Sequence, residues 1–428
     1  MQSLPDSPYA AVRLAVALVL MTLGASGMYG VSVVLPVVQA DFGVARADAS
    51  LPYAMLMLGF GVGGLFMGRL ADRFGVMVPL LIGAIGLGSG FLLAGRAPDI
   101  ATFNIAHGLL IGLFGCSATF SPLLADTTLW WVKRRGIAVA VCASGNYLGG
   151  AIWPPIVQHY VESVGWRQTY VGMGIFCFVV MTALALTLRR RPPAMPSRAS
   201  PGSSPSAPAM AGYGRGPNAS GESAPFGLSP AQATVLLCIA GFSCCVAMSM
   251  PQVHIVAYCG DLGYGAARGA EMLAVMLGFG VVSRLVSGVI CDRIGGLRTL
   301  LLGSALQGVA LLLFLPFNGL VSLYVIAALF GLFQGGIVPS YAIIIREHFP
   351  AAETGARVGA VIMMTMVGMS VGGWMSGKIY DLTGSYQAAF VHGLAWNALN
   401  LSIAYLLLRR SRKTGDRPLV PNERTSRA

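Results

Sequence analysis

Apolar residues run through this chain in stretches too long for strands and too continuous for amphipathic surface helices. Twelve such stretches stand out, at 12–37, 50–70, 76–95, 100–125, 136–160, 168–188, 231–258, 267–290, 298–316, 320–345, 356–378 and 386–408. Each is close to the roughly 20 residues a helix needs to cross the hydrocarbon core of a bilayer. Charged residues are nearly confined to the gaps between them. The pattern predicts an all-α integral membrane protein with twelve transmembrane helices. The first stretch is longer than a secretory signal core and is followed by no clear cleavage site, so it reads as helix 1.

Residues 189–230 interrupt the pattern. They are rich in Pro, Ser, Gly and Ala, lack apolar periodicity and open on Arg189, Arg190 and Arg191. Such composition predicts a disordered cytoplasmic linker. It leaves an N-terminal six-helix bundle at 1–188, a C-terminal six-helix bundle at 231–410 and a cytoplasmic tail at 411–428. The halves repeat: Leu58-Gly59-Phe60-Gly61-Val62 recurs as Leu277-Gly278-Phe279-Gly280-Val281, an offset of 219 positions. Gly112-Leu113-Phe114 and Gly331-Leu332-Phe333 keep the same offset, as do Gly136 and Gly355, Gly149 and Gly368, and Gln168 and Gln387. One register held across helices 2 to 6 predicts a duplicated unit and two pseudo-symmetric bundles, with a substrate path at their interface.

Composition agrees: of 428 residues, 55% are hydrophobic and 10% charged, and the mean hydropathy is +0.71. The net charge of +12 invites a nucleic-acid partner, but its distribution excludes one. With the N-terminus in the cytoplasm, Arg46, Arg96, Arg167, Arg268 and Lys378 fall in outer loops and Arg284 inside a span. The other Lys and Arg fall on the cytoplasmic side. That is the positive-inside bias of an inner-membrane, multi-pass protein with both termini cytoplasmic. The lipid bilayer is thus a partner. The eight cysteines lack metal-ligand spacing and read as small packing residues. Neither a Ser/His/Asp arrangement nor a nucleotide loop supports an enzyme, and no cofactor is implied.

Gly68-Arg69-Leu70-Ala71-Asp72-Arg73-Phe74-Gly75 follows helix 2, and a weaker copy, Gly288-Val289-Ile290-Cys291-Asp292-Arg293-Ile294-Gly295, follows helix 8. Here the chain resembles the major facilitator superfamily, over nearly its whole length outside linker and tails. The resemblance implies that fold, and a latch in which Asp72 accepts hydrogen bonds from the start of helix 11, near Thr354–Val358. Gly68, Asp72, Arg73, Gly75, Gly288, Asp292, Arg293 and Gly295 are therefore expected to form a gating motif, the alternative being plain helix caps. A narrower resemblance is to the monocarboxylate and oxalate/formate transporters. It lies in Trp130-Trp131-Val132-Lys133-Arg134-Arg135-Gly136-Ile137-Ala138, in Arg284 with Gly288, and in His254-Ile255-Val256 followed by Asp261-Leu262-Gly263. Gly280 stands four residues before Arg284, where proton-coupled animal members carry an aspartate.

Arg284 is the sharpest chemical feature. It precedes Asp292 by eight residues, which places it roughly 12 Å inside the helix end. A mid-span arginine costs about 2.5–3.5 kcal/mol to insert and cannot shed its proton. Its counterpart in the first half is Leu65 or Gly64, so the unit folds without it. No acidic residue lies near a span centre to neutralise it. Either it binds an anionic substrate through paired hydrogen bonds, or it is tied to backbone carbonyls. His254, one to two turns from the outer end of helix 7, either meets substrate or a proton or is a neutral histidine bonded to a neighbouring helix. Tyr29, Thr119, Asn146 and Gln334 are further cavity candidates, each equally open to an interhelical bond. His107 and His392 read as packing. Pro122, Pro154-Pro155 and Pro339 predict bends in helices 4, 5 and 10. Gly-x-x-x-Gly spacings at 64/68, 145/149, 368/372 and 373/377 predict close helix approach.

The expected function is a secondary active transporter moving a small organic anion, a monocarboxylate, by proton symport or anion exchange. Proton-coupled efflux of drugs or metabolites is the alternative, but it asks for a carboxylate inside the first-half spans. A transporter-like receptor or membrane enzyme is the other class.

Overall fold

The computed structural model describes residues 6–131, 134–190 and 225–414. Among them twelve helices are long and apolar enough to cross a membrane. They are α1 (Pro8–Phe42), α2 (Arg46–Phe74), α3 (Met77–Gly95), α4 (Ile100–Trp130), α5 (Gly136–Val164) and α6 (Trp166–Thr187) in the first half. The second half holds α7 (Pro230–Asp261), α8 (Ala266–Ile294), α9 (Gly296–Leu313), α10 (Leu320–His348), α11 (Glu353–Thr383) and α12 (Tyr386–Arg412). An even number of crossings puts both ends of the described chain on one face, called here the terminal face; the opposite one is the far face.

Both halves start on one device. Ser7 caps α1 by accepting from the Ala10 N–H at 3.3 Å, with Pro8 in the first turn. Ser229 and Gln232 form a reciprocal capping box at α7, again followed by proline. Proline fits there because the first turn has no intrahelical use for its missing N–H. The loops after α2 and α8 turn on Gly75 and Gly295, at φ +85° and +84°, a conformation that only glycine adopts without strain. That explains why the last glycine of the repeated motif is kept in both copies.

Large apolar side chains face outward on every span, among them Phe66, Ile85, Phe176, Val289 and Val321. A water-facing surface would not tolerate this, whereas lipid does. The halves meet along α2–α11 and α5–α8, with α1 against α7. α4 breaks at Thr119–Phe120, just before Ser121-Pro122, after a π-helical stretch over Ala106–Cys116. α10 breaks at Gly335–Gly336, just before Ile337 and Pro339. α5, by contrast, runs uninterrupted through Pro154 and Pro155.

Two expected boundaries move. Of the expected linker, residues 191–224 lie outside the described residues, but 225–230 are ordered. Phe226 is fully buried, edge-on to His348 at 4.5 Å, because an aromatic ring next to the bundle gains more by docking than by staying in solvent. The C-terminal half therefore starts at Pro225 and not at 231. Helical structure of α12 also continues into the expected tail as far as Thr414; residues 415–428 lie outside the described residues.

Candidate functional site

Arg284 points from α8 across the interface to α5. Its Nη1 donates to the Ala143 carbonyl at 3.3 Å, and its guanidinium sits 4.6 Å from the centre of the Tyr147 ring. Its Nε is buried without a hydrogen-bond partner. Gly280, one turn earlier, makes room for that ring: a Cβ there would lie 2.7 Å from Tyr147 Cδ1. Next along α5, Asn146 accepts a hydrogen bond from the Tyr29 hydroxyl at 3.1 Å. Tyr29 is within electrostatic range of both Tyr147 and Arg284. Tyr53 on α2 is in turn within range of Tyr29 and Tyr147. The Tyr53 hydroxyl is buried and unpartnered. Arg284, Tyr29 and Asn146 thus come together, joined by Tyr147 and Tyr53, which sequence reasoning missed. At the repeat-related place, Leu65 faces outward and Gly64 packs near Ser121.

The other candidates lie elsewhere. The Thr119 hydroxyl donates to the Cys116 carbonyl at 2.9 Å, and its side chain fills the space left by Gly24 of α1. Gln334 accepts from Gln252 of α7 at 3.0 Å, and its own Nε2 is buried without a partner. His107 bonds the Phe103 carbonyl and the Tyr170 hydroxyl, and His392 accepts from Trp396. Asp126 is held by Arg13 through two bonds of 2.7 and 2.8 Å. That ion pair was not expected, because Arg13 opens the first marked stretch and counts with the cytoplasmic arginines, while Asp126 falls just past the end of the fourth.

His254 is fully buried and belongs to a network at the far face. The Asp381 carboxylate on α11 accepts the Arg46 and Ala47 backbone N–H groups, both at 2.8 Å, capping α2 from the other half. The Arg46 side chain pairs with Asp261 at 3.1 Å, donates to the Tyr386 hydroxyl at 2.9 Å and lies over the Tyr380 ring. Tyr386 contacts His254 Nδ1 at 3.0 Å, and His254 Nε2 contacts the Gly373 carbonyl at 2.8 Å. A carbonyl only accepts, so Nε2 carries the proton and Nδ1 of the neutral ring accepts from Tyr386. Arg46 was read from sequence as an outer-loop residue. Nothing in the sequence set it apart from Arg96, Arg167 and Arg268 on the same face.

At the terminal face the halves part. Asp72 is exposed, and among the described residues it has no hydrogen bond to the start of α11. A Cβ built on Gly68, Gly355 or Gly359 would meet nothing within 4 Å. The expected latch from Asp72 to Thr354–Val358 is therefore not made in this conformation; α2 packs on α11 at Gly61, against Met363 and Met366, but not at Gly68. Asp292 is likewise exposed. The glycine pairs divide by role. Gly373 and Gly377 abut Tyr53, Arg46 and Ala47 across the interface, whereas Gly145 and Gly149 abut α1 within the first half, and Gly368 and Gly372 abut α7 within the second.

The profile of the Major Facilitator Superfamily matches residues 15–322 and 237–426. The chain is 28% identical to monocarboxylate transporter 13 of Rattus norvegicus over 359 residues, covering 80% of this chain and 75% of that protein. It is 26% identical to the MFS-type transporter opdF of Penicillium oxalicum over 354 residues, covering 80% of this chain and 77% of that protein. A bacterial homolog of the human lysosomal transporter Spinster, solved in an inward-facing, unoccupied conformation, superposes with a TM-score of 0.69 at 14% identity, covering 97% of this chain and all of that one.

Proposed function

The chain belongs to the major facilitator superfamily, and we propose that this transporter carries a small organic anion, a monocarboxylate, by exposing a central site alternately to the two faces. The terminal face is taken as cytoplasmic and the far face as the outside of the inner membrane, from the bias of Lys and Arg. The observation that carries the reading is Arg284: a permanent cation at mid-span, bonded to one neutral carbonyl and a ring, with its Nε buried and unused. A carboxylate offers the two acceptors that a guanidinium fork is built to hold. Tyr147 adds a donor beside it, Tyr53 adds an unpartnered one within range of Tyr147, and the described residues of the site bring no acid to repel an anion. Asp126 is the carboxylate buried in the first-half spans among the described residues, and Arg13 occupies it, which argues against an efflux mechanism that runs a proton through that half. The far-face network and the open terminal face correspond to the inward-facing half of an alternating cycle.

Uptake of a panel of labelled acids into proteoliposomes tests the reading. Arg284→Ala should abolish anion uptake while the protein still inserts and purifies as a single species. Replacing a charge-assisted bond with none costs about 1.5–3 kcal/mol, or roughly 10- to 150-fold in affinity. Uptake retained at normal affinity would sink the anion site. Acceleration of wild-type uptake by an inward proton gradient distinguishes symport from exchange.

A further inference from the structure

The far gate contains a group that the anion site does not use. Arg46, Tyr386, His254 and the Gly373 carbonyl form a directional chain: arginine donates to tyrosine, tyrosine to Nδ1, and Nε2 to the carbonyl. The chain crosses the interface, since Arg46 belongs to the first half and the other three to the second. Its direction is set at both ends, because arginine cannot accept and a carbonyl cannot donate. One atom inside it is a base that can gain a proton, His254 Nδ1.

Protonation of Nδ1 would reverse one link. The new N–H would point at the Tyr386 oxygen that Arg46 already uses, and the phenol would lose its acceptor. It would also set an imidazolium beside the Arg46 guanidinium. The other charged or titratable groups around the ring are Tyr53 beside Gly373 on α2, Tyr380 and Asp381 on α11, and Tyr258 and Asp261 on α7 itself. Both carboxylates are already engaged with Arg46 and the first turn of α2. On α8, Arg268 and Glu271 pair with each other and with Tyr324.

We propose that His254 is a proton-binding site that sets the far gate: neutral, it completes the lock between the halves, and protonated, it releases Arg46 and lets the far face open. This rests on the alternating-access reading above and is independent of the cargo. The open state binds the proton more tightly, so acid shifts the population toward it and alkali toward the closed gate.

The experiment uses the full chain in nanodiscs, with spin labels on Ala40→Cys of α1 and Leu382→Cys of α11, both exposed at the far face. Accessible native cysteines are replaced. Pulsed electron-spin distances are recorded from about pH 8 to about pH 5, across the histidine range. In the wild type the long-distance population should grow severalfold as pH falls. In His254→Gln the amide can donate to Gly373 and accept from Tyr386 but cannot take a proton, so the short distance should persist at both ends. A wild type indifferent to pH, or a glutamine variant that follows it, overturns the proposal. Should His254→Gln not fold, Tyr386→Phe, which breaks the same chain, must raise the long-distance population at alkaline pH, and a closed gate there also overturns it. Arg46→Gln separates the two readings: if its distances stay short at every pH, the halves do not rock about this gate and the alternating-access reading fails with the proposal. A pH response in a protein that carries no acid would sink the cargo alone and leave the proton site standing.

Discussion

Gly280→Ala adds one methyl group at the point where the halves meet beside Arg284. The new Cβ would lie 2.7 Å from Tyr147 Cδ1 and 2.9 Å from Cε1. Carbon atoms rest near 3.5–4.0 Å apart, so the ring must retreat by about 0.8 Å or more. Tyr147 is buried and is the platform on which the Arg284 guanidinium rests, so the retreat moves the anion-binding group with it. Overpacking of this kind costs about 1–3 kcal/mol, offset by the roughly 1 kcal/mol that alanine gains over glycine in a helix. The net expectation is a loss of up to about 2 kcal/mol of stability and roughly tenfold weaker binding of the transported acid. Gly278→Ala is the control. There the nearest atom is the Ala151 Cβ at 3.8 Å, an ordinary contact, so only the helix-propensity gain of about 1 kcal/mol remains. Both variants would be compared with wild type by thermal unfolding in detergent and by ligand titration on the same samples. If Gly280→Ala melts at or above Gly278→Ala and binds with unchanged affinity, the argument that Tyr147 is wedged between Gly280 and Arg284 is wrong. An aspartate begins with the same Cβ, so position 280 cannot take the acid carried by proton-coupled animal members unless Tyr147 leaves.

Two further substitutions separate folding from binding. Asp126→Asn leaves Arg13, 3% exposed, buried without its counter-charge, which should cost about 3–5 kcal/mol; an unchanged melting temperature would show that water reaches the pair. Tyr53→Phe removes a hydroxyl that has no partner, so the empty protein should be as stable as wild type or more so by about 1 kcal/mol. Affinity for the acid should fall by about 0.5–1.5 kcal/mol if the hydroxyl contacts cargo, and equal affinities in a competition assay would remove Tyr53 from the site.

Much of the architecture was legible in the chain because a bilayer leaves few choices. A long apolar run must be a helix there, since its backbone groups have no other partner, and the twelve marked stretches correspond to twelve helices. Pro122 and Pro339 likewise announced the breaks in α4 and α10. Pro154 and Pro155, in contrast, interrupt no helix, since α5 runs on through both; neighbouring helices can absorb a missing donor, and no local rule tells which proline they will rescue. Phe226 was assigned to the linker because its neighbours are polar and small, yet one aromatic ring was enough to dock that end.

The candidate site divides in the same way. Arg284 was readable from a single residue, because a charge at mid-span is costly wherever the helix packs. Tyr147, adjacent to the selected Asn146, was not, because a tyrosine in an apolar helix is unremarkable until Gly280 and Arg284 arrive from the other half. Arg46, Asp261, Asp381 and Tyr386 each sit at a helix end, where charge and hydroxyl are ordinary. Hydropathy, register and charge bias act along one dimension, so the chain by itself determined the spans, the duplication and the odd arginine. Which residues face one another across the interface depends on how two rigid bundles are docked, and tertiary structure alone decided it. That docking joins His254 to the far gate through Tyr386 and leaves Asp72 at the open face without the start of α11 as its partner.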